Sequence, residues 1–189
     1  LGEEYTTRES RRIKMALQTA RLTTVKSLSG YDFSFQPGLD RHRVMALAEL
    51  DFIERKQCVH FLGPPGTGKS HLAIALGFEA VKAGKSVFFA TLAELVDSMR
   101  MAEREGKLRE RVKFLSRYSL LIVDEIGYLP LGSGGGNLFF QLVNACYERS
   151  TMIMTSNRWF GEWAEIFGDA VGATALLDSL LHRAVVIPI

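Results

Sequence analysis

Three features of this 189-residue sequence predict a three-layer α/β fold on a five-stranded, mainly parallel sheet. Short apolar runs alternate with stretches of helical spacing, a Gly-rich turn joins one such run to a helical pattern, and a pair of acids closes another. Strands separated by helices favour crossover connections, which make neighbouring strands parallel and bury both faces of the sheet. A hydrophobic content of 47% suits one domain with a sizeable core.

Taken in order, Thr7 to Leu22 places Ile13, Leu17 and Ala20 on one side of a helix and basic residues elsewhere, so it reads as an amphipathic arm. Residues 8 to 26 carry Arg8, Arg11, Arg12, Lys14, Arg21 and Lys26 against Glu9 alone, and residues 1–30 are expected to form a basic N-terminal arm to a domain spanning 31–189. Ser29 to Asp40 is a loop with aromatic anchors, and Arg41 to Arg55 returns to helical periodicity through Val44, Leu47, Leu50 and Phe52. The first strand follows at residues 57–62.

Gly63-Pro64-Pro65-Gly66-Thr67-Gly68-Lys69-Ser70 comes next, and Gly63, Gly68, Lys69 and Ser70 match the spacing G-x-x-x-x-G-K-[ST]. An apolar strand before it and the pattern His71 to Ala80 after it supply the strand–loop–helix setting of a phosphate-binding loop. Glycines let successive N–H groups turn towards phosphate oxygens, and the helix N-terminus adds partial positive charge. Gly63 through His71 are therefore candidate ATP contacts. Lys69 is expected to reach the β- and γ-phosphates and Ser70 to ligate Mg²⁺.

Beyond Gly84, residues 85–90 form a second predicted strand, and Thr91-Leu92-Ala93-Glu94 is a capping box that opens a helix. Another helical piece, Lys107 to Arg117, leads into the apolar run Ser119 to Val123 and the acids Asp124 and Glu125. Gly132 to Gly136 reads as a flexible loop without the lysine of a second phosphate site, and Asn137 as the cap of the next helix. Thr151 to Thr155 is the fourth strand, tipped by Ser156 and Asn157; Phe160 to Phe167 and Ala173 to His182 are helical, and Ala184 to Ile187 is the fifth strand.

Ligands of such sheets bind beyond the carboxyl ends of the strands, where the Gly-rich loop, Asp124, Glu125 and Asn157 all fall. Asp124 is expected to position the metal, Glu125 to act as base towards an attacking water, and Asn157 to orient that water or contact the γ-phosphate. A small-molecule kinase is disfavoured, because no phosphate-acceptor lid is evident.

Composition bounds the remaining classes. Cys58 and Cys146 are too few for a disulfide framework or zinc site, and the four histidines lack metal-ligand spacing. No apolar run is long enough for a membrane span and no signal-peptide pattern stands at the start, so a cytosolic location with no membrane partner is expected. Leu1 at the start and the apolar Val185 to Ile189 at the end read as the bounds of a fragment.

Together, Gly63 to Ser70, Leu120 to Pro130, Thr155-Ser-Asn157, Trp163 to Asp169 and Leu176-Leu-Asp178 resemble the IstB family of AAA+ ATPases, helpers of an insertion-sequence transposase and relatives of DnaC-type helicase loaders. The resemblance implies a three-layer P-loop NTPase (AAA+) fold with the Thr155 strand between the Gly-loop strand and the Val123 strand. It also implies a Walker B pair at Asp124 and Glu125, a sensor at Asn157, and self-assembly into a ring or helical oligomer with ATP between subunits. A DNA-engaging helical insertion is implied at about 92–117, where Arg100, Arg104, Lys107, Arg109, Arg111, Lys113 and Arg117 are candidate phosphate contacts for duplex DNA. The family's Leu-Asp-Arg-Leu is replaced by Leu177-Asp178-Ser179-Leu180, which removes the arginine finger and leaves Arg183 as its candidate substitute. The expected function is ATP-dependent assembly on DNA with a transposase as partner. The alternatives are a helicase loader acting on a replicative helicase, or a nucleotide-switched DNA-binding scaffold with little turnover.

Overall fold

The computed structural model describes residues 2–24, 26–168 and 170–189. It contains the five expected strands, β1 (Val59–Leu62), β2 (Val87–Thr91), β3 (Leu120–Ile126), β4 (Thr151–Ser156) and β5 (Val185–Pro188), in the order β2-β3-β4-β1-β5. Every pairing is parallel. The implied position of β4 between β1 and β3 is therefore correct, and it gathers the carboxyl ends of the three central strands.

The helices are α1 (Gly2–Thr19), α2 (Arg41–Leu47), α3 (Asp51–Glu54), α4 (Lys69–Lys82), α5 (Leu92–Arg104), α6 (Leu108–Leu115), α7 (Gly135–Cys146), α8 (Trp163–Phe167) and α9 (Ala170–Leu181). They cover both sides of the sheet, and the period-two alternation of the strands decides which core each side chain joins. Leu120 and Ile122 of β3 and Ile153 of β4 pack on the side of α4 with Leu72, Ala73 and Leu76. Leu121, Val123, Met152 and Met154 face the opposite side, with Leu95 and Val96 of α5 and Leu138 and Phe139 of α7.

Two local expectations are corrected. The single helix expected over Arg41 to Arg55 is broken at Leu50, which takes φ 67° between α2 and α3 while its side chain stays in the core. Asn137 does not cap α7. Gly134, at φ 77°, is the N-cap, because glycine enters the left-handed region without the Cβ penalty that asparagine bears, and Gly135 and Gly136 are already helical.

The helix of the N-terminal stretch begins and ends earlier than expected. Ile13, Ala16 and Leu17 pack against the core, Ala20 and Leu22 are buried in it, and the Ala20 carbonyl accepts from Phe89 N–H at 2.8 Å, which occupies part of the free edge of β2. Thr91 and Glu94 form the expected capping box at α5.

His60, in the middle of β1, is wholly buried against Phe160 and Trp163, with Nε2 donating to the Leu180 carbonyl at 3.2 Å and Nδ1 unpartnered. Burial outweighs the opposing Leu180 hydrogen bond and pulls its pKa from 6.5 to about 4. The fold thus holds a neutral imidazole, so the contribution of His60 to stability is fully present above pH 6.5 and is lost as pH falls towards 4, where only the unfolded chain takes up the proton. The loss approaches about 3 kcal/mol. His60→Leu should flatten the denaturation midpoint between pH 6.5 and 4 relative to wild type; an identical pH profile would show that His60 is not the titrating group.

Candidate nucleotide site

The Gly-rich loop spans from β1 to α4 at the carboxyl edge of the sheet. Gly68 is the N-cap of α4 at φ 87°, and a Cβ there would lie 2.5 Å from the Tyr31 ring, so both conformation and packing require glycine. Tyr31 Oη donates to the Thr67 carbonyl at 2.8 Å, and His71 Nε2 donates to the Ser27 carbonyl at 2.8 Å. Tyr31 and His71 rings meet edge to face at 5.4 Å. The loop is thus held from outside by the segment after α1, and the His71 ring is used for that contact.

Lys69 is buried, with Nζ donating to the Pro64 carbonyl at 2.7 Å and to Thr67 Oγ1 at 3.4 Å. Burial lowers its pKa, and the charge of Asp124 opposes that shift. Its hydrogen-bond partners are neutral, so transfer to a phosphate would break no ion pair.

Beneath the loop, Ser70 Oγ donates to Asp124 Oδ1 at 2.8 Å, and the Thr155 hydroxyl of β4 donates to the same oxygen. Thr155 Oγ1 also accepts from Glu125 N–H at 3.0 Å. The bond is needed because the β3–β4 register shifts between Val123 and Ile126, and Glu125 sits at the irregularity with φ 60°. The kink leaves Asp124 buried and Glu125 exposed. Partial burial, then the charges of Asp124 and Glu94, raise the Glu125 carboxyl above its ordinary pKa, which strengthens it as a base. Asn157 follows β4, its Oδ1 buried without a partner beside Gly127.

Ser70 and Asp124 offer a hydroxyl and a carboxylate, the hard oxygen donors that suit Mg²⁺ held largely by nucleotide phosphates and water. Among the described residues no cluster of three or more His, Cys, Asp or Glu could hold a metal unaided. One hydroxyl and one carboxylate would leave the remaining octahedral positions of Mg²⁺ to phosphate oxygens and water.

The other candidates are dispersed. Arg183 lies before β5, at the amino edge of the sheet and remote from the Gly-rich loop, with φ 55°. Ser179 donates back to the Ala175 carbonyl at 3.3 Å. Of the basic residues in α5 and α6, Arg100 is spent on the carbonyls of Leu131 and Ser133, and Arg111 on Ser98 Oγ at 2.8 Å and the face of Phe114. Arg104, Lys107, Arg109, Lys113 and Arg117 are exposed. Asp169 of the Trp163 segment lies outside the described residues.

Sequence reasoning assigned no role to Thr155 and read Tyr31 only as one of the aromatic anchors of the Ser29 to Asp40 loop, without its partner. A hydroxyl at a strand end and an aromatic in a loop are signals too common to single out a residue; the contacts depend on β4 lying beside β3 and on the loop folding back.

This strand order, with the Gly-rich loop after β1 and the acids at the end of β3, defines an AAA+ P-loop domain. The same fold occurs in DnaI (TM-score 0.71, 20% identity, 87% of this chain and 90% of that one) and in AMPPCP-bound DnaA from Aquifex aeolicus (TM-score 0.70, 21% identity, 86% and 49%). The chain spans only about half of that DnaA chain. The family model described as IstB-like ATP binding protein matches residues 1–189, and the chain belongs to that family. It is 48% identical over 184 residues to the insertion sequence IS21 ATP-binding protein of Pseudomonas aeruginosa, covering 97% of this chain and 69% of the relative. The corresponding protein of insertion sequence IS5376 from Geobacillus stearothermophilus is 41% identical, with 98% and 74% covered.

Thr155→Val keeps the shape, removes one donor from Asp124 and leaves Glu125 N–H unpaired. It should cost about 1–3 kcal/mol in chemical denaturation, with Thr155→Ser close to wild type. An unchanged midpoint would remove the bridge from the account.

Proposed function

We propose that this chain binds and hydrolyses ATP with Mg²⁺, assembles on duplex DNA in the cytoplasm and assists a transposase. The observation that carries the reading is the convergence of Ser70, Asp124 and Thr155 under the Gly-rich loop, with Glu125 turned outward beside them. Amides of the loop and Lys69 would hold the phosphates, and Mg²⁺ would neutralise charge developing on them. Ser70 and Asp124 would be its protein ligands. Glu125 would take the proton of the attacking water as that water bonds to the γ-phosphorus and the bond from that phosphorus to the bridging oxygen breaks, releasing ADP and inorganic phosphate, and Asn157 would orient the water. The names of the IS21 and IS5376 relatives tie this chemistry to insertion sequences, and the exposed cations of α6 suit a DNA backbone.

Ser179 favours a second reading, a nucleotide-switched scaffold with little turnover, because a serine cannot serve a neighbour's γ-phosphate as an arginine does. ATP hydrolysis and sedimentation, measured with and without duplex DNA, separate the two. The first reading predicts ATP-dependent assembly and DNA-stimulated turnover, with Glu125→Gln retaining ATP binding and losing about 100-fold or more in rate. Assembly without turnover would establish the scaffold, and full turnover by Glu125→Gln would remove Glu125 as the base.

A further inference from the structure

The longest helix of the chain presents a charged face that the nucleotide site does not use. Along α1, Ile13, Ala16 and Leu17 pack inward, and Arg12, at the margin, is taken up by Glu9 at 2.6 Å and the Lys82 carbonyl at 3.4 Å. At about 100° per residue, Arg8, Arg11 and Lys14 fall together on the opposite side. All three are exposed, and none has a hydrogen-bond or ion-pair partner among the described residues. Met15, in the same sector, is 67% exposed. The acids Glu3 and Glu4 are confined to the first turn, where the helix dipole favours them.

The carboxyl end of α1 is tied to the second basic tract. The Arg21 guanidinium lies 5.7 Å from the Phe88 ring centre, Phe88 meets Phe114 of α6 at 6.4 Å, and Arg111 covers Phe114 at 5.2 Å. On α6, Arg109 and Lys113 stand one turn apart, Arg117 lies in the turn just past the helix end, and all three side chains are exposed with no hydrogen-bond or ion-pair partner among the described residues.

We propose that the outward face of α1, through Arg8, Arg11 and Lys14, is a second contact surface for the phosphate backbone of duplex DNA, joined around the β2 edge to the cations of α6. The three side chains span about 9 Å of helix, the axial rise of two to three phosphates along one strand at about 3.4 Å each. Contacts of this kind read charge and spacing, so binding through α1 is independent of base sequence and falls with salt. The inference rests on the DNA-binding reading given above and extends it to a helix outside the 92–117 segment.

Binding of a short labelled duplex across a salt series tests it, with ATP affinity and helicity measured on each variant. Combining Arg8→Gln, Arg11→Gln and Lys14→Gln should weaken binding about tenfold or more and reduce the slope of log affinity against log salt by about 2–3, with ATP affinity unchanged. Arg11→Gln alone should reduce the slope by about 0.9 and serves if the triple variant does not fold. Arg12→Gln removes the same charge from the inner margin and should leave the slope as in wild type. A wild-type slope in the triple variant, alongside a reduced slope when Arg109, Lys113 and Arg117 are neutralised, would overturn the α1 surface and keep DNA binding. Equal effects of Arg12→Gln and Arg11→Gln would overturn it in favour of net charge. Failure of the wild-type chain to bind duplex DNA would overturn both readings.

Discussion

The site depends on one carboxylate oxygen. Asp124 Oδ1 accepts from Ser70 on the helix after the Gly-rich loop and from Thr155 on the neighbouring strand, so it joins α4, β3 and β4 at a single point. Asp124 is buried, and a buried charge without donors is strongly disfavoured. The two hydroxyls are therefore a condition of placing an acid there. Thr155 also takes the Glu125 amide, which the shifted register would otherwise leave unbonded, so one hydroxyl supports the inward acid and the backbone turn that sends the next acid outward.

Strand order makes this possible. With β4 between β1 and β3, the loop after β1, the acids of β3 and Asn157 after β4 share one edge although they are distant in sequence. The segment after α1 closes the arrangement from outside: Tyr31 holds the Thr67 carbonyl and packs where any side chain at Gly68 would have to go. Residues before the sheet thus help set the shape of the phosphate loop. The same N-terminal stretch lies along β2 and buries Ala20 and Leu22, which leaves its basic side free.

Much of this was legible in the sequence, for identifiable reasons. The strands were readable because both faces are covered, so each is nearly continuous in apolar residues, and the loop because its glycines and Lys-Ser pair sit between such a strand and a helix. The capping box at Thr91 and Glu94 is a local device with a local signature, and it formed as read. What failed locally was backbone geometry at Leu50 and at Asn137, where tertiary packing and a better-suited neighbouring glycine decided the outcome. The long-range contacts of Thr155, Tyr31 and Arg100 could not be read from the sequence, since spacing carries no information about which loop returns to which strand. Arg100 makes the point: a basic run marks cations, yet only the fold separates those that hold carbonyls from those that face solvent.

The central claim is that Ser70 and Asp124 form the protein side of a metal–nucleotide site, and ATP affinity measured with and without Mg²⁺, in wild type and in Asp124→Asn, tests it most directly. The account predicts that Mg²⁺ strengthens ATP binding to wild type and that Asp124→Asn loses about tenfold or more of that gain while keeping its metal-free affinity. The same Mg²⁺ dependence in both proteins would contradict it, because the carboxylate on which the site is built would then have no part in holding the metal.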